Sequence, residues 1–343
     1  MTRHNAWVRR VLDGAGAGLS EPALEVISTT RERIDDTLGA CRVHLSVMDQ
    51  WERVVYRHGE VFSTVPPITL LSDVLVDFGQ LRKLLEQPQS LAASQRLTRV
   101  VALVTTVVGN LLCYLANPTE SRAWLRTAGV AADETGDRAL RAWVLLQEAH
   151  LSLYFGNPHA VIELTQQATA LAGDKPSVAA ALAPAVAARA LALLGRARET
   201  EAALERAYAA HARLRPEDTD PVNVLFNYPE RVLHFHASNA LTHIHRTARA
   251  YQERKKAAAL YAKTSEHIHP ALMDMDHALC LIYAGGVNEA CRYAQRTLRD
   301  LPSEYRVGIV WTRARAVLDA IPAKFHQTPY VRAFQEVVVL AEA

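Results

Sequence analysis

Strand signals are nearly absent from this 343-residue chain, and so are the short patterns by which most catalytic and metal sites announce themselves. There is no G-x-S-x-G, no phosphate-binding G-x-x-x-x-G-K, no G-x-G-x-x-G behind a strand, and no H-E-x-x-H or Cys/His zinc spacing. Cysteine is scarce, with Cys41, Cys113, Cys280 and Cys291 in no C-x-x-C pair. In so long a chain that fits a reduced, cytoplasmic setting with buried free thiols. The charge balance is also flat: 38 basic and 36 acidic side chains leave a formal +2, too weak a field for a nucleic-acid binder. The opening MTRHNAWVRRVLDGAG lacks the apolar stretch of a secretion signal. The run from Val100 to Ala116 falls just short of a membrane span and carries Thr105, Thr106, Gly109 and Asn110, so it reads as a buried helix.

What is present is helix. Half of the residues are apolar, at helical spacing, among abundant Ala, Leu, Arg and Glu. Turns recur at Ala116-Asn117-Pro118, Gly156-Asn157-Pro158, Gly195-Arg196, His245-Arg246 and Gly285-Gly286, about 40, 39, 50 and 40 residues apart. Pro118 and Pro158 suit the first position of a helix, where a missing N–H costs nothing. After each turn comes a short helix rich in small residues, among them Ala128, Ala131 and Ala132, Ala168, Ala170 and Ala172, and Ala202, Ala203 and Ala207. A helical hairpin repeating near 40 residues predicts an all-α, tetratricopeptide-like (TPR-like) solenoid of stacked hairpins, because one hairpin cannot bury its own apolar stripe. The expected layout is a weakly ordered segment over 1–30 with a DGAGAG hinge, a helical cap over 31–88 broken at Val65-Pro66-Pro67, repeats over 89–302 and capping helices over 303–343.

Several blocks resemble a known family: RERIDDTL, DQWERVVYRHG, PPITLLSDVLVDFGQLRKLLE, AADETGDRALRAWVLLQEAHLSLYFGNP, YPERVLHFHASNALTHI, HALCLIYAGGVNEACRYAQRTLRDLPSEYR and ARAVLDAIPAKFHQTP. They are similar to the region that follows the DNA-binding domain in actinobacterial Xre-type regulators. The resemblance spans about residues 30 to 343 and implies a TPR-like effector-sensing or partner-binding region. About thirty residues precede it, too few for a five-helix DNA-binding domain, and they show no helix–turn–recognition-helix pattern, so direct operator binding is not expected. His245 stands where the family's hairpin turn usually carries Gly, at a backbone cost if φ is positive there.

Fourteen histidines invite a metal reading, but none of them pair at three or four residues, the spacing that puts two ligands on one helix face. No metal or cofactor is expected. The expected ligand surface is the groove lined by the first helices of the hairpins. Trp143, Gln147, His150 and Tyr154 form one stripe, Leu140, Val144, Leu151 and Phe155 the packing stripe opposite, and His236, Asn239 and His243 a second mixed stripe, with Arg189 between them. The longer fourth unit carries RPEDTDPVNVLFNYP, a loop that brings Phe226 and Tyr228 to the surface, into the groove, or onto the core. Such stripes suit a peptide, a partner protein or a small metabolite, in a sensor or adaptor acting on gene expression or specialised metabolism. The alternatives are a biosynthetic enzyme, cyclase- or transferase-like, using His236, His243 and Tyr228 beside Glu148 or Glu230, and a purely structural scaffold such as a homodimer.

Overall fold

The computed structural model describes residues 21–35, 45–87, 89 and 91–340. The DGAGAG hinge and Cys41 lie outside the described residues. Those described fold into fifteen α-helices and no strand: α1 (Glu21–Asp35), α2 (Leu45–Val61), α3 (Pro67–Leu85), α4 (Leu91–Tyr114), α5 (Pro118–Thr135), α6 (Arg138–Tyr154), α7 (Pro158–Ala172), α8 (Val178–Leu193), α9 (Ala197–His211), α10 (Glu230–His243), α11 (Thr247–Tyr261), α12 (Ile268–Tyr283), α13 (Val287–Asp300), α14 (Gly308–Asp319) and α15 (Pro329–Leu340). Short 3₁₀ turns occupy Pro216–Thr219, Ser303–Tyr305 and Ala323–Phe325. Helix α1 begins at Glu21, inside the stretch expected to be weakly ordered.

Each of the five turns found in the sequence separates two packed helices. One residue per turn takes a left-handed backbone: Ala116 and His245 at φ 57°, Gly195 at 71°, and Gly156 and Gly285 at 87°. The next N–H then reaches back five residues, from Asn117 to Leu112 and Arg196 to Leu191 at 2.9 Å, and likewise at the other three turns. This caps the carbonyls that a helix end leaves unmatched. Asn117 and Asn157 start the following helices by accepting the N–H of Glu120 and Ala160, each at 3.1 Å, with proline next in line. A side chain at Gly195 would meet no atom within 4 Å, so its cost would be conformational alone. Gly195→Ala should therefore destabilise the fold by about 1–2 kcal/mol, read as a lowered urea midpoint at unchanged slope. An unchanged midpoint would contradict the turn geometry.

Helices α4/α5, α6/α7, α8/α9, α10/α11, α12/α13 and α14/α15 pack as pairs. The first members also pack in series, α4 on α6, α6 on α8, α8 on α10, α10 on α12 and α12 on α14, and α14 returns to α4. At that return Gly308 meets the backbone of Leu115 and Ala116. A Cβ there would lie 2.3 Å from the Ala116 Cβ and 2.9 Å from backbone atoms. Nearby, the Tyr305 hydroxyl donates to the Thr64 carbonyl at 2.5 Å, joining residues 241 apart in the chain. Helices α2 and α3 cover α4, and Phe78 of α3 packs on the fully buried Trp124 of α5 with ring centroids 5.4 Å apart. Of the small residues after the turns, Ala128, Ala131, Ala132, Ala168, Ala203 and Ala207 are buried, whereas Ala170 is exposed and Ala172 and Ala202 are half-buried.

Among the described residues one helix, Ala92–Tyr114, is long and apolar enough to cross a membrane by length and composition, and 78% of its apolar window is buried within the fold.

Candidate functional site

The first helices enclose a central cavity of about 80 Å³. That is room for about five waters or a very small organic molecule. Its wall takes Asn110, Cys113 and Tyr114 from α4, Gln147, His150 and Tyr154 from α6, Val178 and Leu182 from α8, Phe235 and His236 from α10, and His269 from α12. The segment from Val224 to Tyr228 closes it.

That closing segment is pinned from three sides. The Trp143 indole N–H donates to the Leu225 carbonyl at 3.2 Å, and the Trp143 and Phe226 rings pack with centroids 5.2 Å apart. Asn223 is fully buried. Its amide nitrogen donates to the Tyr56 carbonyl of α2 at 3.1 Å, and its oxygen accepts the Phe226 N–H at 3.2 Å. Gly59 makes room, because a Cβ there would sit 2.4 Å from the Asn223 oxygen. Arg231, buried and paired with Glu266 at 2.6 Å, donates a second bond to the Pro221 carbonyl at 2.6 Å. The loop that the sequence left open thus turns inward. Phe226 seals it against Trp143, and Tyr228, 1% exposed, enters the cavity wall.

Behind the wall runs a buried polar seam that crosses all six first helices. Asn110 Nδ2 donates to Gln147 Oε1 at 3.1 Å, and His150 Nδ1 lies 3.4 Å from the same oxygen. The His150 ring stacks on His236, with centroids 5.6 Å apart and planes 18° from parallel. Arg189 of α8 donates through Nη1 to His236 Nδ1 at 3.4 Å and through Nε to Asn239 Oδ1 at 2.8 Å. Asn239 Nδ2 donates to Asp276 Oδ2 at 2.8 Å, and Arg313 of α14 donates to Asp276 Oδ1 at 2.9 Å. Burial satisfied by such bonds is tolerable, whereas a buried polar group left alone is costly. The Tyr114 hydroxyl and His269 Nε2 share a hydrogen bond of 3.0 Å, tying α4 to α12 across the cavity.

The electrostatics favour neutral imidazoles. Burial, then the charge of Arg189, pushes His150 down to about 3 and His236 well below its ordinary value. His243 is pushed down to about 4 by burial and then by Arg313. Burial raises the Cys113 thiol to about 12, so it is a poor nucleophile where it stands.

Of the residues predicted from sequence, the structure brings Gln147, His150, Tyr154, Tyr228 and His236 together on the cavity wall. Arg189 and Asn239 stand behind it in the seam. Trp143 and Phe226 hold the closing segment instead of lining the space. His243 lies apart, toward Asp276 and Arg313. The acid–base pairings considered in the sequence do not form, since Glu148 pairs with Arg141 at 3.0 Å and Glu230 lies 3.4 Å from His234. Asn110, Tyr114, His269, Asp276 and Arg313 are additions. In the sequence Asn110 reads as a polar break in an apolar run, although it lies 37 residues before Gln147, as Asn239 lies 37 before Asp276 and Asp276 37 before Arg313. A polar residue recurring every 37 residues is the signal that finds Asn110, Asp276 and Arg313. Among the described residues, no three His, Cys, Asp or Glu side chains converge as a metal-binding group. A larger depression of about 900 Å³ lies on the outside between α7, α8 and α9, and of the predicted residues it holds none. Neither a family model nor a curated protein matches this chain.

Proposed function

We propose that this chain is a TPR-like helical-hairpin sensor that holds a small molecule in the cavity enclosed by its first helices, and that it regulates gene expression or specialised metabolism through that occupant. The observation that carries the reading is the Tyr228 hydroxyl. It is shielded from solvent, has no hydrogen-bond partner and belongs to the cavity wall. An unmatched buried polar group costs about 1–3 kcal/mol, and a ligand atom would remove that cost. The recurring turn and the serial packing of first helices support the TPR-like description. The resemblance to the C-terminal region of Xre-type regulators supports the regulatory role. An extended peptide fits less well, because the segment from Asn223 to Tyr228 fills the space it would need. The enzyme reading gains no comparable support, since His243 stands apart from Tyr228 and His236.

Native mass spectrometry of the protein as purified, beside the denatured sample, tests this. The expected result is an additional small mass that disappears on denaturation. A bare monomer mass, unchanged after incubation with a small-molecule extract of the producing cells, would reject the reading. A bare dimer would move the function to a protein partner.

A further inference from the structure

We propose that the occupant is a small organic anion of carboxylate type, its head held by the Nε2–H of His236 and the hydroxyl of Tyr228 and its short tail by the apolar wall. This rests on the small-molecule reading above and adds a ligand class to it.

The first argument is charge. Arg189 is 1% exposed, yet no carboxylate lies within ion-pair distance of it among the described residues. Its partners are the neutral Asn239 and His236 and the faces of Tyr154 and Phe235, each 5.2 Å from the guanidinium carbon. The one carboxylate of the seam, Asp276, already answers Arg313. The seam therefore buries two guanidinium groups against one carboxylate. A buried charge without a counter-charge is unfavourable, and an anion in the adjoining space would offset it.

The second argument is hydrogen-bond direction. A guanidinium only donates, so His236 Nδ1 must accept from Arg189. The proton of a neutral imidazole then sits on Nε2, an N–H polarised by the cation behind it and bound to no protein acceptor. Tyr228 supplies a second donor. Burial holds its phenol well above the ordinary range, so it keeps its proton. The Tyr228 and His236 rings lie 6.3 Å apart, centroid to centroid. By contrast, the Tyr114 hydroxyl of the wall already has a partner in His269 Nε2, at 3.0 Å. The third argument is shape. About 80 Å³ beside Phe62, Leu182, Val224, Leu225, Val232 and Phe235 suits a carboxylate with a few carbons behind it.

The test is calorimetric titration and thermal melting with acetate, propionate and butyrate, each beside its neutral amide, on the wild type and on Tyr228→Phe. This variant removes only a buried, unpartnered hydroxyl and should fold at least as stably. The expected result is binding of at least one acid, at least tenfold weaker binding of its amide, and at least tenfold weaker acid binding by Tyr228→Phe. Acid and amide binding equally well would overturn the anion and leave the small-molecule reading standing. Undiminished acid binding by Tyr228→Phe would overturn the assigned donors. If neither series binds while native mass spectrometry shows a neutral occupant, the anion alone falls. If neither binds and the native mass is bare, both readings fall.

Discussion

Asp276→Ala should destabilise the protein by about 3–5 kcal/mol, a large share of the roughly 5–15 kcal/mol that holds a typical domain together. Asp276 is 1% exposed and accepts from both Asn239 and Arg313. Its removal leaves the Arg313 guanidinium, itself largely buried, with no acceptor and strips Asn239 of the bond that orients it toward Arg189. The loss is that of breaking a buried pair, which exceeds what the pair contributes relative to apolar residues of the same volume. Asp276→Leu combined with Arg313→Leu should therefore recover much of the loss. Arg249→Ala, which removes an exposed partner of Glu201, should cost less than about 1 kcal/mol. Urea unfolding of the three variants measures all of this. A loss at Asp276→Ala no larger than at Arg249→Ala would mean that the seam is not sealed from water.

Acid should destabilise this protein well above the range where carboxylates titrate. His150, His236 and His243 are all held neutral by burial, with folded-state values of about 3 for His150 and about 4 for His243, and well below the ordinary 6.5 for His236. The unfolded chain takes up their protons near pH 6.5 and the folded one does not. The stability associated with a neutral histidine is thus complete above pH 6.5. It is lost as the pH falls from there toward the folded-state value, at about 1.4 kcal/mol per pH unit per group. Two to three such groups predict a drop of about 3–4 kcal/mol between pH 7.5 and 5.5. The stability tied to Glu253, whose folded-state value is about 2, is lost only as the pH falls from about 4.5 toward 2 and does not change in this interval. Denaturant midpoints across this interval check the sign, and His243→Gln should remove about one proton from the slope. A stability that is flat from pH 7.5 to 5.5 would show that the imidazoles are hydrated or already charged in the folded state.

The helical class and the turn positions could be read from the sequence because they are local. An Asn-Pro pair or a Gly in a left-handed turn works through atoms a few residues away. The cavity was legible only in part. Gln147, His150 and Tyr154 lie on one stripe of one helix, and helical periodicity alone puts them on a common face. His243 looked equivalent to His236 because the two share a face, but two turns of α10 carry it to the Asp276 side of the seam. Tyr228 could not be placed, since an aromatic residue in a long loop is equally at home outside or in. What draws it inward is a set of partners remote in sequence, Trp143, Tyr56 and Gly59. The closure of α4 onto α12 through Tyr114 and His269, 155 residues apart, leaves no trace in any periodic pattern.

The return of α14 to α4 bears on how the chain comes to be folded at all. An open array of hairpins is able to settle pair by pair as it leaves the ribosome, each new pair docking on the last. Here the surface of α4 around Ala116 waits for Gly308, and the Thr64 carbonyl waits for Tyr305, 241 residues later in synthesis. The cavity wall, too, is incomplete until His269 of α12 has been made, 155 residues after its partner Tyr114. The return contact and the cavity are therefore both late products of synthesis.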